Sequence, residues 1–269
     1  SEAVRGEAIT VGPPYFDFFL RVLGLPLLLL MGIGPLVAWR RSSLRALGES
    51  LLWPAAVALV TGALLLVLGA GSSVPGLVAY TFCAFVLAAI VLEFVRGTRA
   101  RKALGSTSWT GALSSLVGRN RRRYGGYIVH ASIVLLALGI AGGAYGSTKV
   151  QQLKPGQAMR IRGYDLTYVD TVVRKASNRT EVRARLAVSR DGKALGVYEA
   201  GKNRYPVEGQ DSNEVAIRTD WLRAEDLFVI GEQFNANGSV VLKVLVNPLV
   251  NLIWLAGFVF LFGSLVAMW

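Results

Sequence analysis

Arg119-Asn120-Arg121-Arg122-Arg123-Tyr124-Gly125-Gly126-Tyr127-Ile128-Val129-His130-Ala131-Ser132-Ile133-Val134-Leu135-Leu136 decides the fold. Four arginines give way at once to an apolar run that continues to Tyr145. A bilayer core about 30 Å thick needs roughly 20 apolar residues in a helix. Backbone polar groups cannot stay unpaired in lipid, so such a run has to be helical. Working outward, four further stretches meet the same length: 18–38, 51–70, 74–94 and 246–269. Composition agrees: 53% of the 269 residues are hydrophobic and 17% charged, against about 25% charged in an ordinary soluble domain.

The connections set the orientation. Loop 39–50 carries Arg40, Arg41 and Arg45 against Glu49. Loop 95–124 carries Arg96, Arg99, Arg101, Lys102, Arg119, Arg121, Arg122 and Arg123 with no acid. Both fall on one side of a five-span chain, and the positive-inside rule makes that side cytoplasmic. The lead-in 1–17 and the segment 146–245 then lie outside. The formal net charge of +12 could suggest nucleic acid. Its concentration beside spans assigns it to topology and anionic lipid instead, so no nucleic-acid partner is expected. Trp109, Leu113 and Leu116, at helical spacing, suggest a short helix on the membrane surface.

Segment 146–245 has a different texture, with sixteen basic and twelve acidic residues. Val182, Ala184, Leu186 and Val188 alternate with Arg183 and Arg185, the pattern of a half-buried strand. Asp191-Gly192 and Asn237-Gly238 are hairpin turn signals. Further strands are expected at 158–162, 165–173, 195–198, 214–218, 227–231 and 239–246. The fold class is therefore a polytopic α-helical membrane protein of about five transmembrane helices with an inserted all-β antiparallel extracytoplasmic domain. Its regions are the lead-in 1–17, a four-helix region 18–145, the β-domain 146–245 and the last helix 246–269.

The single histidine, His130, is the most informative residue. At 1.5 Å per residue it lies about 10 Å into the bilayer from Arg123. An imidazole in hydrocarbon is costly and ordinarily meets a bundle interior, a partner or a cofactor. Gly126, Ala137, Ala141 and Ala144 lie near its face. Such a stripe admits a flat ligand or another helix equally. An axial ligand of haem iron, a proton relay in a transport module and a structural hydrogen bond within a docking anchor all remain open. Glu93 reads as an i,i+3 partner of Arg96, and Asp17 as an i,i+4 partner of Arg21. Cys83 reads as a small packing residue. No catalytic residue is identified. Tyr198, Tyr205 and Trp221 are exposable aromatics that fit a core or a sheet face equally well.

Several ordered motifs carry a resemblance. They are Val11-Gly12-Pro13-Pro14-Tyr15-Phe16, Trp39-Arg40-Arg41, Arg123 through His130, Leu153-Lys154-Pro155-Gly156, Tyr164-Asp165-Leu166-Thr167-Tyr168, Ser189 through Lys193, Lys202 through Tyr205, and Asn247-Pro248-Leu249-Val250-Asn251 running on to Gly257. Together they resemble the C-terminal half of CcmF, the haem-lyase subunit family of bacterial cytochrome c maturation. The resemblance implies a multi-pass protein of the bacterial cytoplasmic membrane with a periplasmic β-domain. It implies part of a complex that joins haem to apocytochrome c through thioether bonds, inactive as this chain alone. It implies His130 as one axial ligand of the iron of an intramembrane haem b that reduces the haem being delivered. The second ligand is expected outside this chain, as in a fragment or split product. The implied partners are the N-terminal half of the same protein, a haem-chaperone protein, apocytochrome c, thiol-reducing maturation subunits and membrane lipid.

Overall fold

The computed structural model describes residues 12–36, 44–105, 108–207 and 209–269. The lead-in 1–11 and Trp39, Arg40 and Arg41 of the first basic loop lie outside the described residues. Two compact units emerge, Gly142–Asn251 and the helical remainder.

Among the described residues, five helices are long and apolar enough to cross a membrane: Pro14–Leu36, Leu47–Val67, Val74–Ala103, Arg121–Tyr145 and Asn251–Met268. Helix α1 (Pro13–Phe19) passes through a π-turn, Leu20–Gly24, into α2 (Leu25–Ile33). The second span, α3 (Leu44–Val67), tolerates Pro54 in its interior. Helix α4 (Val74–Ala103) starts at Ser73, whose hydroxyl accepts from the Gly76 N–H. It continues past the apolar run through Arg96, Arg99, Arg101 and Lys102. The first half of the expected basic loop is thus helical, because nothing breaks the chain before Gly105 (φ 112°). Cations in the last turn also suit the helix C-terminus.

A short helix, α5 (Trp109–Arg119), forms over the expected residues, capped by the Ser108 hydroxyl on the Gly111 N–H at 3.0 Å. Its buried residues are Ala112 and Leu116, and Leu116 is set against Gly97 of α4. Trp109 and Leu113 stay exposed, and Lys102 lies 4.5 Å over the Trp109 ring.

Helix α6 (Arg121–Gly142) is held on two sides. On one, Val134, Tyr124 and Tyr127 join the core with Cys83, Val86 and Ile90 of α4. On another it meets α7 (Asn251–Met268) at backbone distance. A Cβ on Gly125 would lie 2.6 Å from the Ala267 nitrogen, and one on Gly263 2.9 Å from the Val129 nitrogen. Close approach of small residues is how helices associate in lipid, where no hydrophobic force separates them from the solvent.

The β unit is two antiparallel sheets. One has the order β1 (Ser147–Leu153), β9 (Val240–Pro248), β8 (Glu225–Phe234), β7 (Ala216–Asp220). The other has β2 (Ala158–Ile161), β3 (Tyr164–Lys175), β4 (Thr180–Arg190), β5 (Lys193–Tyr205), β6 (Gln210–Glu214). Alternate residues of both meet in one core: Tyr164, Leu166 and Tyr168 of β3, Leu186 and Val188 of β4, and Val240, Leu242, Val244 and Val246 of β9. The expected strand 214–218 is two strands. The chain changes sheet at Val215, so β6 pairs with β5 while β7 pairs with β8. Arg183 and Arg185 do point away from the core residues Ala184 and Leu186. Arg183 is nevertheless buried, and its guanidinium donates to the Lys202 carbonyl at 2.9 Å and to Asn203 Oδ1 at 2.6 Å.

Candidate functional site

His130 sits in the middle of α6, half-buried. At 3.6 residues per turn it lies between the α4-facing positions Tyr127 and Val134 and an open side bearing Ile133 and Ile140. Ile133 and Ile140 are 38% and 46% exposed. The His130 Nδ1 is buried and has no hydrogen-bond partner. One turn earlier, Gly126 has open space where a side chain would stand: a Cβ there meets nothing within 4 Å. The neighbouring Gly125, by contrast, is filled by α7. Packing between the two helices therefore uses Gly125, while the position of Gly126 is left open. Ala137 and Ala141 are half-buried and Ala144 is exposed.

Another polar group of the helical unit pairs differently from the sequence expectation. Glu93 of α4 does not pair with Arg96. It is buried at 8% exposure and forms an ion pair with Arg123 of α6, also accepting from the Tyr127 hydroxyl at 3.3 Å. Arg96 instead donates to the Ser50 hydroxyl at 3.2 Å. Phe94, Tyr124 and Tyr127 stack around the pair with centroids 5.0 to 6.1 Å apart. A local i,i+3 rule could not find this, since the partner lies on a helix brought alongside by the fold. The Asp17–Arg21 pair forms at 3.8 Å as expected. Cys83 is fully buried, its Sγ 3.9 Å from the Val134 carbonyl oxygen.

Among the described residues no three His, Cys, Asp or Glu side chains converge. A bare metal ion would have no cage there. A single neutral imidazole on an uncovered helix face can still serve as one axial ligand of a flat metal-bearing group. The half-buried ring of His130, unpartnered at its inner nitrogen, and the space at Gly126 fit such a group. Of the aromatics of the β unit, Tyr198 packs on the core edge and accepts from Arg218 at 2.8 Å, Tyr205 is half-buried, and Trp221 is 61% exposed in a turn.

A family model described as the CcmF C-terminal beta-sandwich matches residues 144–248. The cytochrome c-type biogenesis protein CcmF of Pseudomonas fluorescens is 30% identical over 99% of this chain and 39% of its own length. CycK of Bradyrhizobium diazoefficiens, also titled a cytochrome c-type biogenesis protein, is 27% identical over 99% of this chain and 40% of its own. A solved structure, the cytochrome c heme lyase CcmF, superposes with a TM-score of 0.74 at 25% identity, covering 96% of this chain and 41% of that one. The chain thus spans about two-fifths of the length of these relatives. It is a multi-pass membrane protein with an extracytoplasmic β unit, like the bacterial inner-membrane proteins of that group. Family model, relatives and superposed structure agree: the chain matches the CcmF/CycK family of cytochrome c biogenesis proteins, with residues 144–248 matching that family's C-terminal sandwich.

Proposed function

We propose that this chain is the C-terminal part of a membrane haem lyase that attaches haem to apocytochrome c on the outer face of the cytoplasmic membrane, and that His130 is an axial ligand of a haem b within the membrane. The observation that carries the reading is a half-buried imidazole in mid-span whose inner Nδ1 has no hydrogen-bond partner, on a helix where Gly126, one turn earlier, leaves open space. An unsatisfied buried polar group costs about 1–3 kcal/mol. In a lipid-embedded segment a group left in that state is ordinarily tied to a partner or ligand.

The residues of this chain would act as follows. His130 offers a neutral imidazole lone pair. Gly126 keeps the adjoining helix surface free of side-chain bulk, and Ala141 and Ala144 extend that low surface outward along the helix. Ile133 and Ile140 line the other side and keep water away. When bound, a haem b supplies a one-electron couple, which suits keeping the delivered haem iron reduced. The second axial ligand would come from the N-terminal part of the family's length. A haem chaperone, apocytochrome c and thiol-reducing subunits are the partners of this reading, with the β unit as their docking surface.

The test is the visible spectrum of the chain purified together with the family's N-terminal part. A Soret band and a pyridine haemochrome of b type are expected. His130→Ala should abolish both while leaving the amount of folded protein in the membrane unchanged. An unaltered spectrum in that variant overturns the ligand assignment.

A further inference from the structure

We infer that the hairpin tip Trp221-Leu222, between β7 and β8, inserts into the outer-leaflet headgroup region and docks the β unit on the lipid surface. Leu222 is 99% exposed and Trp221 61% exposed, although both large side chains lie within a unit that has a well-filled core of its own. Register places this tip. Asp220 pairs with Glu225, and Glu225 pairs with Pro248. The turn therefore projects beyond the C-terminal end of β9, the end from which the chain leaves the β unit at Asn251. The Leu249 N–H donates to the Ala224 carbonyl at 2.5 Å, so the turn is tied to the two-residue link before the span that opens at Asn251. The other tether arrives at the same end, since Ser147 pairs with Val246 and Arg162 donates to the Tyr145 carbonyl at 3.0 Å.

The tip is held rigidly. Asp220 Oδ1 accepts from the Leu222 and Arg223 N–H groups, both at 3.2 Å, and Arg223 bridges to Asp191 at 3.3 Å. Behind it, buried Glu225 pairs with Arg190 and accepts from the Tyr164 hydroxyl at 3.3 Å, with Arg190 4.3 Å over the Tyr164 ring. Tryptophan beside an aliphatic residue is the composition that settles at a lipid–water boundary. The charges at this end are exposed Arg162, Lys193 and Arg223 against exposed Asp191 and half-buried Asp220. That balance is close to neutral, so apolar insertion rather than charge attraction drives the docking. The opposite end of the unit, with the turns at 154–157, 176–179 and 235–238 and the exposed Val207, is then left free for protein partners.

The test uses the whole chain in vesicles of phosphatidylethanolamine and phosphatidylglycerol. Spin labels are placed at Leu222→Cys and, as a control, at Val207→Cys, both in a Cys83→Ala background. Collisions with oxygen, which concentrates in lipid, are compared with collisions with a water-soluble nickel chelate. At position 222 oxygen should prevail several-fold, and at 207 the chelate should prevail. A label at 222 as open to the chelate as that at 207 overturns the proposal. So does a label shielded from both reagents, which would mean that protein covers the tip.

Discussion

Glu93 and Arg123, thirty residues apart in sequence, form an ion pair between α4 and α6, with Tyr127 donating to the same carboxylate oxygen. The Glu93 side chain is 10% exposed and that of Arg123 56%. Removing one partner of a fully buried pair costs about 3–5 kcal/mol, whereas an exposed pair contributes about 0.2–1 kcal/mol. Arg123→Ala strands the buried carboxylate and should fall between these limits, at about 2 kcal/mol. Glu93→Gln keeps a hydrogen-bond acceptor for Tyr127 and should cost less. Unfolding of the membrane protein in mixed detergent measures both. Equal losses would mean that the pair acts only through its hydrogen bonds.

Gly125 and Gly126 are adjacent, yet they should respond oppositely to the same change. A methyl on Gly125 meets the backbone of Ala267, while one on Gly126 meets nothing within 4 Å. Gly125→Ala forces α6 and α7 apart, and overpacking of this kind costs about 1–3 kcal/mol. Gly126→Ala should be neutral or slightly stabilising, since alanine is the better helix former. Melting midpoints of the two variants, compared side by side, give the answer.

A bulkier side chain at Gly126 separates stability from haem binding. Gly126→Leu extends a side chain into the open space at that position, where its Cβ meets nothing within 4 Å. The protein should remain folded, and the Soret absorbance of the chain purified with its N-terminal counterpart should drop several-fold. Full haem content in that variant would place the ligand-accepting side of α6 elsewhere.

The spans, the inserted β unit and the ends of most strands could be read from Arg119–Leu136 outward, because apolar length and period-two alternation report directly on burial. Strand β1 could not. Ser147-Thr148-Lys149-Val150-Gln151-Gln152 has no apolar alternation, since it is an edge strand that meets the core only through Leu153. The split of 214–218 was also hidden: a change of sheet at Val215 leaves no mark in a local pattern. Arg162-Gly163 escaped as a turn because arginine is an uncommon residue at positive φ, here 44° followed by 81°. At the candidate site, the sequence singled out His130 and its small-residue neighbours. Which glycine packs and which stays open depends on where α7 lies. The Glu93 pairing likewise depends on the approach of a second helix.

The carboxylates of the β unit predict a pH response with two opposing parts. Arg185 donates twice to Asp170, at 2.7 and 2.5 Å, and holds its carboxyl below the usual range. Arg174 does the same to Glu199, at 2.7 and 2.9 Å. Both groups bind protons more weakly folded than unfolded. Their stabilisation is complete above the ordinary carboxylate range near about 4 and is lost as pH falls through the depressed folded values. Asp226 is opposite in sign. It is 2% exposed with an unpartnered Oδ1, and burial pushes its carboxyl up. The folded state therefore holds this proton more tightly than the unfolded chain, and stability declines as pH rises from the ordinary aspartate value to the raised one. Asp226→Asn removes that decline and keeps a side chain able to bond Thr219. Hydrogen exchange of the β7 and β8 amides, corrected for intrinsic rates, should show the variant better protected than the parent at neutral pH, with the two converging in acid. If protection in the variant is lower at neutral pH, the ionised carboxylate has a partner that stabilises it.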